Sequence, residues 1–194
     1  MPMTSRRTFS LVLLGLALAS ASLHATTTAQ PSESALRQDL QTARWPADIV
    51  RAAERYVAGY PQGPSAAAAR SMLDLARQSA RALDRNVRLY RGDFQLEGSV
   101  SAVGEDVRKA ALADREAALR VAHMIRDREN GVEFDINRYV GWLQFASALG
   151  NGPASYELAL HYRKADQPAL AAPYELRAEE LGFRAPPSLD NIRK

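Results

Sequence analysis

"YVGWLQFASALGNGPASYELALHY", residues 139–162, is dense in Ala, Gly and aromatic side chains and carries one formal charge, Glu157. Such a blend suits a ligand-pocket wall, a membrane-facing stretch, or a tight seam between two helices. Its punctuation favours the seam. Gly150 stands just past a periodic run, where a left-handed C-terminal cap is needed, and Pro153 follows as a helix starter. Residues 139–150 therefore read as the outer helix of one structural unit, 150–153 as cap and turn, and 154–162 as the inner helix of the next.

Self-comparison carries this outward. "AALRVAHMI" (117–125) lies over "ASYELALHY" (154–162) at an offset of 37, and "WLQFASALG" (142–150) over "YELRAEELG" (174–182) at an offset of 32. The offset falls because "RDRENGVEFD" has a shorter counterpart in "RKADQ", and a stacked array of helix pairs tolerates length changes at its turns. "KAALADREAA" (109–118) reads as the tail of a preceding unit, with Asp114 in the place of Gly150. Ala122, Ala146, Ala159 and Ala178 let helices approach closely. Leu119, Trp142, Tyr156, Tyr162 and Tyr174 fill the space beside them.

"GVEFDINRYVGWLQFASALGNGPASYELALHY" resembles the Sel-one-like repeat, a subclass of the tetratricopeptide-like helical repeats. Gly131, Val132, Asp135, Arg138, Trp142 and Ala146 match its pattern in register, as do Gly150, Ala154, Tyr156, Leu158 and Tyr162. Tyr139, Phe145 and Ala159 depart from it, and in the second copy Gln167 replaces the Asp. The resemblance covers residues 105–183. Residues 53–76, with the turn "YPQGP", are similar more loosely to the helix pairs of periplasmic tetratricopeptide proteins. It implies an all-α fold, a right-handed α/α superhelix (solenoid) of about three to four tandem antiparallel helix pairs. It implies binding or scaffolding without chemistry. The family pattern exposes Arg120, His123, Glu157 and Leu160 on the inner helices, with Arg126 and Arg163 near their ends, as the concave-face residues for a protein or peptide partner.

The remaining chain reads as helix as well. Leu36 and Leu40 mark a short helix, and Trp45-Pro46 opens a clearer one along Ile49, Val50, Ala53, Tyr56, Val57 and Tyr60. Pro61 stops it, and Pro64 suits the first turn of the next. That third helix carries Met72 to Tyr90 at three-to-four spacing and is expected to run to about Arg91. Residues 92–106, with three glycines, read as the longest irregular segment. No stretch alternates β-branched and polar residues, so no strand is expected. The tetratricopeptide-like helices span 32–91, and 184–194 is a polar tail.

Arg6 and Arg7 precede the uncharged run "TFSLVLLGLALASASLHA", and no acidic residue precedes Glu33. This is the pattern of a signal peptide (1–25, cleavage between 21 and 29), too short in its core to span a bilayer. "SRRTF" partly matches the twin-arginine export motif, a general secretory signal being the other reading. The expectation is a periplasmic or secreted bacterial protein with no stable membrane anchor after cleavage. Without those two arginines, 23 of the 25 basic residues face 22 acidic ones, a balance that gives no argument for nucleic acid. The absence of cysteine excludes disulfides, thiolate catalysis and thiolate metal sites.

Little else suggests chemistry. His123 and His161 lack a cysteine or an evident carboxylate partner, so no metal and no cofactor are expected. Asp127, Glu129, Glu133 and Asp135 share only the composition of a calcium loop, and Asp135 sits where an N-cap belongs. Glu179 and Glu180, adjacent on a helix, point away from one another and do not make a glycosidase pair. Arg91-Gly92-Asp93 spells an adhesion tripeptide of a length that recurs by chance. The expected function is a non-enzymatic interaction or scaffolding module of the cell envelope. The rival is an envelope enzyme or ligand-binding protein linked to peptidoglycan or exopolysaccharide.

Overall fold

The structure, a computed structural model, describes residues 31–95 and 101–184. The expected signal peptide and nearly all of the polar tail lie outside these residues. Among the described residues there are eight α-helices and no strand, and no helix is long and apolar enough to cross a membrane. The helices are α1 (Glu33–Thr42), α2 (Pro46–Gly59), α3 (Ala66–Leu83), α4 (Ser101–Ala111), α5 (Arg115–Asp127), α6 (Ile136–Ala148), α7 (Gly152–Lys164) and α8 (Pro168–Glu180). Chain neighbours pack on one another, most extensively α2 on α3, α5 on α6 and α7 on α8.

The amino-terminal helices follow their apolar stripes. Pro46 occupies the first turn of α2, and Ile49, Ala52, Ala53 and Tyr56 form its buried face. The Tyr56 hydroxyl donates to Glu33 Oε1 at 2.5 Å and accepts from the Ser65 amide at 3.2 Å, tying α1 to the α2–α3 turn. Pro64 stands one residue before the α3 N-cap, Ser65, and not inside the helix.

Two expected boundaries are corrected. Helix α3 ends at Leu83 and not near Arg91. Asn86 adopts the left-handed conformation (φ 59°). Beyond it the Arg88 amide leaves helical pairing to donate to Gln144 Oε1 on α6 at 3.0 Å. Tyr90, read as part of the apolar stripe, is 74% exposed. Tertiary pairing with α6 replaces two further turns of helix. Within 92–106, expected to be irregular, α4 already begins at Ser101. Val103, Val107, Ala110 and Ala111 are buried at helical spacing, and that burial outweighs the cost of Gly104, about 1 kcal/mol.

Helix α6 is the centre of the molecule. Every residue from Gly141 to Ser147 is buried, so the reading of 139–150 as an outer helix is corrected: its far side is covered. The segment that follows α3 lies across it. Leu89 meets Gly141, where an added Cβ would come within 2.6 Å of the Arg88 carbonyl oxygen. Phe94 then inserts among Trp45, Trp142 and Phe145, with ring centroids 5.0, 4.8 and 5.8 Å away. Aromatic contacts of this kind add to the apolar burial. The Trp142 indole N–H has no acceptor in this cluster.

The helix ends repeat. Ala113, Gly150, Asp166 and Gly182 all have positive φ (65°, 96°, 54° and 76°) after α4, α6, α7 and α8. After α6 and α8 the next amide reaches back to close the last turn, Asn151 to Ala146 O and Phe183 to Ala178 O, each at 2.9 Å. This is the Schellman pattern. The side chains of Asp114 and Asn151 then cap α5 and α7, accepting from the Ala117 amide at 2.9 Å and the Ala154 amide at 2.8 Å. The offset of 37 therefore holds in the backbone with a register correction: Ala113, not Asp114, occupies the place of Gly150, and Asp114 that of Asn151.

Candidate functional site

Glu157 projects from the middle of α7 and gathers three partners from two other helices. His123 Nε2 on α5 lies 2.8 Å from Glu157 Oε2. Arg126, one turn further along α5, donates from Nη1 to Oε1 at 2.8 Å, and the Tyr139 hydroxyl of α6 donates to the same oxygen at 2.7 Å. The three-residue spacing of His123 and Arg126 puts both on one face of α5, as helical geometry requires. Burial opposes the charge on Glu157, but hydrogen bonds from His123 and Tyr139, together with His123 and Arg126, hold its carboxyl below the usual range. Burial and the Glu157 carboxylate push the Tyr139 phenol up, so it remains a neutral donor. Arg126 also clasps Asp127 through Nε and Nη2 at 2.8 and 2.7 Å, which holds that carboxyl low.

Three of the six residues expected on the concave face thus converge: His123, Arg126 and Glu157. The other three stand apart. Arg120 makes a two-point contact with Asp106 of α4, at 3.1 and 2.7 Å. Arg163 pairs with Glu175 of α8 through both Nε and Nη2. Leu160 is 39% exposed on α7. Tyr139 is the member of the cluster that sequence reasoning assigned to packing. Its position against Glu157, 18 residues away, is set by how α6 crosses α7. His161 is stacked edge-on against Tyr139 and Tyr162, with centroids 6.5 and 5.3 Å apart.

Among the described residues, no group of three or more His, Cys, Asp and Glu is placed to hold a metal ion. The acidic turn 127–135 is built as expected from its cap: Asp135 accepts from the Asn137 and Arg138 amides at 2.8 and 3.1 Å. Glu179 and Glu180 are exposed. The adhesion tripeptide is consumed by the fold. Arg91 pairs with Asp48, and Asp93 is buried, accepting from Arg138 Nε at 3.0 Å and from the Tyr90 amide at 2.7 Å.

A second concavity lies on another side of α7. Tyr162 is five residues from Glu157, about 140° further round the helix, and it faces a crevice of about 770 Å³ between the 85–88 segment and α8. Arg85, Arg88 and Arg177 line it, with Gln144 and Ser147 of α6 and the ring of Tyr174. Its contributors lie up to 92 positions apart in the chain, and only the fold of the post-α3 segment over α6 assembles them. Sequence reasoning did not single out Gln144, although it is the one amide side chain in the apolar run 139–145. No family model, curated protein or solved structure matches the chain.

Proposed function

We propose that the chain is a helical-repeat interaction module rather than an enzyme. In this reading it is exported to the bacterial periplasm or beyond, and its Sel-one-like helix pairs stack in a right-handed superhelix. Helices α5 and α7 present their polar faces side by side to a protein or peptide partner. The observation that supports this most is the repetition in the backbone. At an offset of 37, α5 and α7 each follow a left-handed residue, Ala113 and Gly150, and each start from a side-chain cap, Asp114 and Asn151. Repetition of that kind places equivalent faces in a row. The Glu157 cluster supports it further, because it joins the two inner helices directly and holds them in register.

The cluster also divides the labour on this face. His123, Arg126 and Glu157 satisfy one another and give the surface its shape, whereas Arg120 and Arg163 pair with Asp106 of α4 and Glu175 of α8, and Leu160 is 39% exposed. The rival envelope-enzyme reading would gain from a cleft holding His161 near two carboxylates. Its described neighbours are the rings of Tyr139 and Tyr162, which favour packing.

The test is capture from cell-envelope extracts by the full chain and by Arg120→Glu, Leu160→Asp and Arg163→Glu variants, followed by mass spectrometry. Each variant should keep its helical circular dichroism while the captured partner falls by about thirtyfold or more, the loss typical of an interface hot spot. Retention of the same partner by all three rejects this face as the binding surface.

A further inference from the structure

We propose that the crevice between the 85–88 segment and α8 binds a small organic anion, a carboxylate carried on an apolar body. This site is separate from the α5–α7 face and does not depend on it.

The charge of the crevice is one-sided. Arg85 and Arg88 form one wall and Arg177 the other, and no carboxylate lines it among the described residues. Arg85 and Arg88 have no acidic partner there, and Arg177 has only Glu180 of its own helix at 3.3 Å. In the concavity beside α1 and α2, by contrast, Arg51 is matched by Asp48 and Arg55 by Asp39, and Arg44 donates to the Gly104 carbonyl. Unmatched cations in a concavity concentrate positive potential, and a guanidinium presents paired donors that fit a carboxylate.

Arg88 is held in place. Its amide donates to Gln144, and its carbonyl rests against Gly141, where even a methyl group would collide. Its side chain therefore starts from a backbone clamped on both sides, which lowers the ordering cost of binding. Gln144, only 6% exposed, continues as a polar floor, donating from Nε2 to the Tyr162 hydroxyl at 3.2 Å. Tyr162 accepts that bond, and its own hydroxyl proton has no acceptor among the described residues, so it is available to a ligand oxygen. Burial raises the Tyr174 phenol, with Tyr162 adding to this, so Tyr174 stays neutral beside an anion.

The apolar half of the ligand is specified by the other wall. Tyr162 and Tyr174 stack at 5.7 Å and 14°, and Leu170, half exposed, opens beside them. The volume is that of a pocket for a small molecule, in which apolar surface supplies affinity and a few polar groups set orientation. A bare inorganic anion would leave Leu170 and the tyrosine faces uncovered.

Titration calorimetry of the full chain with 2-naphthoate and octanoate tests this, with neutral 2-naphthalenemethanol and inorganic sulfate as comparisons. At least one carboxylate should saturate a single site per chain, and the neutral alcohol and sulfate should each bind about tenfold or more weakly. Arg88→Gln and Arg177→Gln should each weaken the carboxylate by about tenfold, while Arg77→Gln, which is paired with Glu54 of α2 and does not line the crevice, leaves it unchanged. Arg177 is on a different wall from the clamped segment, so its variant decides the matter if the Arg88 variant misfolds. Failure of both carboxylates to saturate below about 10 mM, equal binding of the alcohol, or full affinity in the Arg177 variant overturns the proposal. Sulfate binding as tightly as 2-naphthoate overturns it too, by reducing the crevice to an inorganic-anion site.

Discussion

Glu157 shows how one side chain can be both surface and structure. It is the only formal charge in residues 139–162, and the repeat pattern that the stretch resembles placed it where a partner would meet it. The fold instead surrounds it with three donors from α5 and α6. Its carboxyl is held below its ordinary value of 4.5, so the folded state binds this proton less readily than the unfolded chain. The resulting stabilisation is complete above about pH 4.5 and is lost as the pH falls through the lowered folded value. Denaturant titrations from pH 6 to pH 3 should show a steeper loss of stability in the native chain than in Glu157→Gln. At neutral pH that variant should be weaker by about 1–3 kcal/mol, because Arg126 and His123 lose a charged acceptor. Equal acid slopes would remove Glu157 from this role.

At the scale of elements, the helices divide into those whose ends were legible and those whose ends were not. Gly150 and Gly182 announced their caps because glycine enters the left-handed region without strain. Ala113 and Asp166 do the same work and carry no such signal; only the closing hydrogen bonds of the finished helices hold them there. Asn151 is buried and caps α7, and Asn151→Ala should cost about 0.5–2 kcal/mol in thermal or denaturant unfolding. Gly141→Ala should cost more, about 1–3 kcal/mol or above, because the new methyl meets the backbone of Arg88 and the Leu89 side chain. Its effect should also be local. Amide exchange should quicken at Arg88, whose bond to Gln144 is displaced, while the α7–α8 pair stays protected. A Gly141→Ala variant as stable as the native chain would contradict the close packing of 88–89 on α6.

For the whole molecule, α6 is the organising element, and exchange protection should be ranked by distance from it. Residues 141–147 are all buried, whereas α1 buries only Leu36 and Leu40, and α8 only Ala171 and Ala178. Native-state hydrogen exchange should therefore be slowest in α6 and fastest in α1 and α8; a flat profile, or protection greatest in α8, would refute this ranking. The sequence by itself determined the helical class, the paired helices of the carboxyl-terminal half, the caps at Gly150, Gly182 and Asp135, and the packing role of the opening stretch. Those features are local, set by apolar spacing, backbone sterics and side chains reaching two or three residues along the chain. Only the tertiary structure decided that α3 stops at Leu83, that α6 is enclosed rather than outer, that Glu157 has three partners, and that three arginines face one crevice. Each of these depends on residues 18 to 92 positions apart meeting in space, and contact at that range is settled by how the elements pack, which no short window of sequence contains.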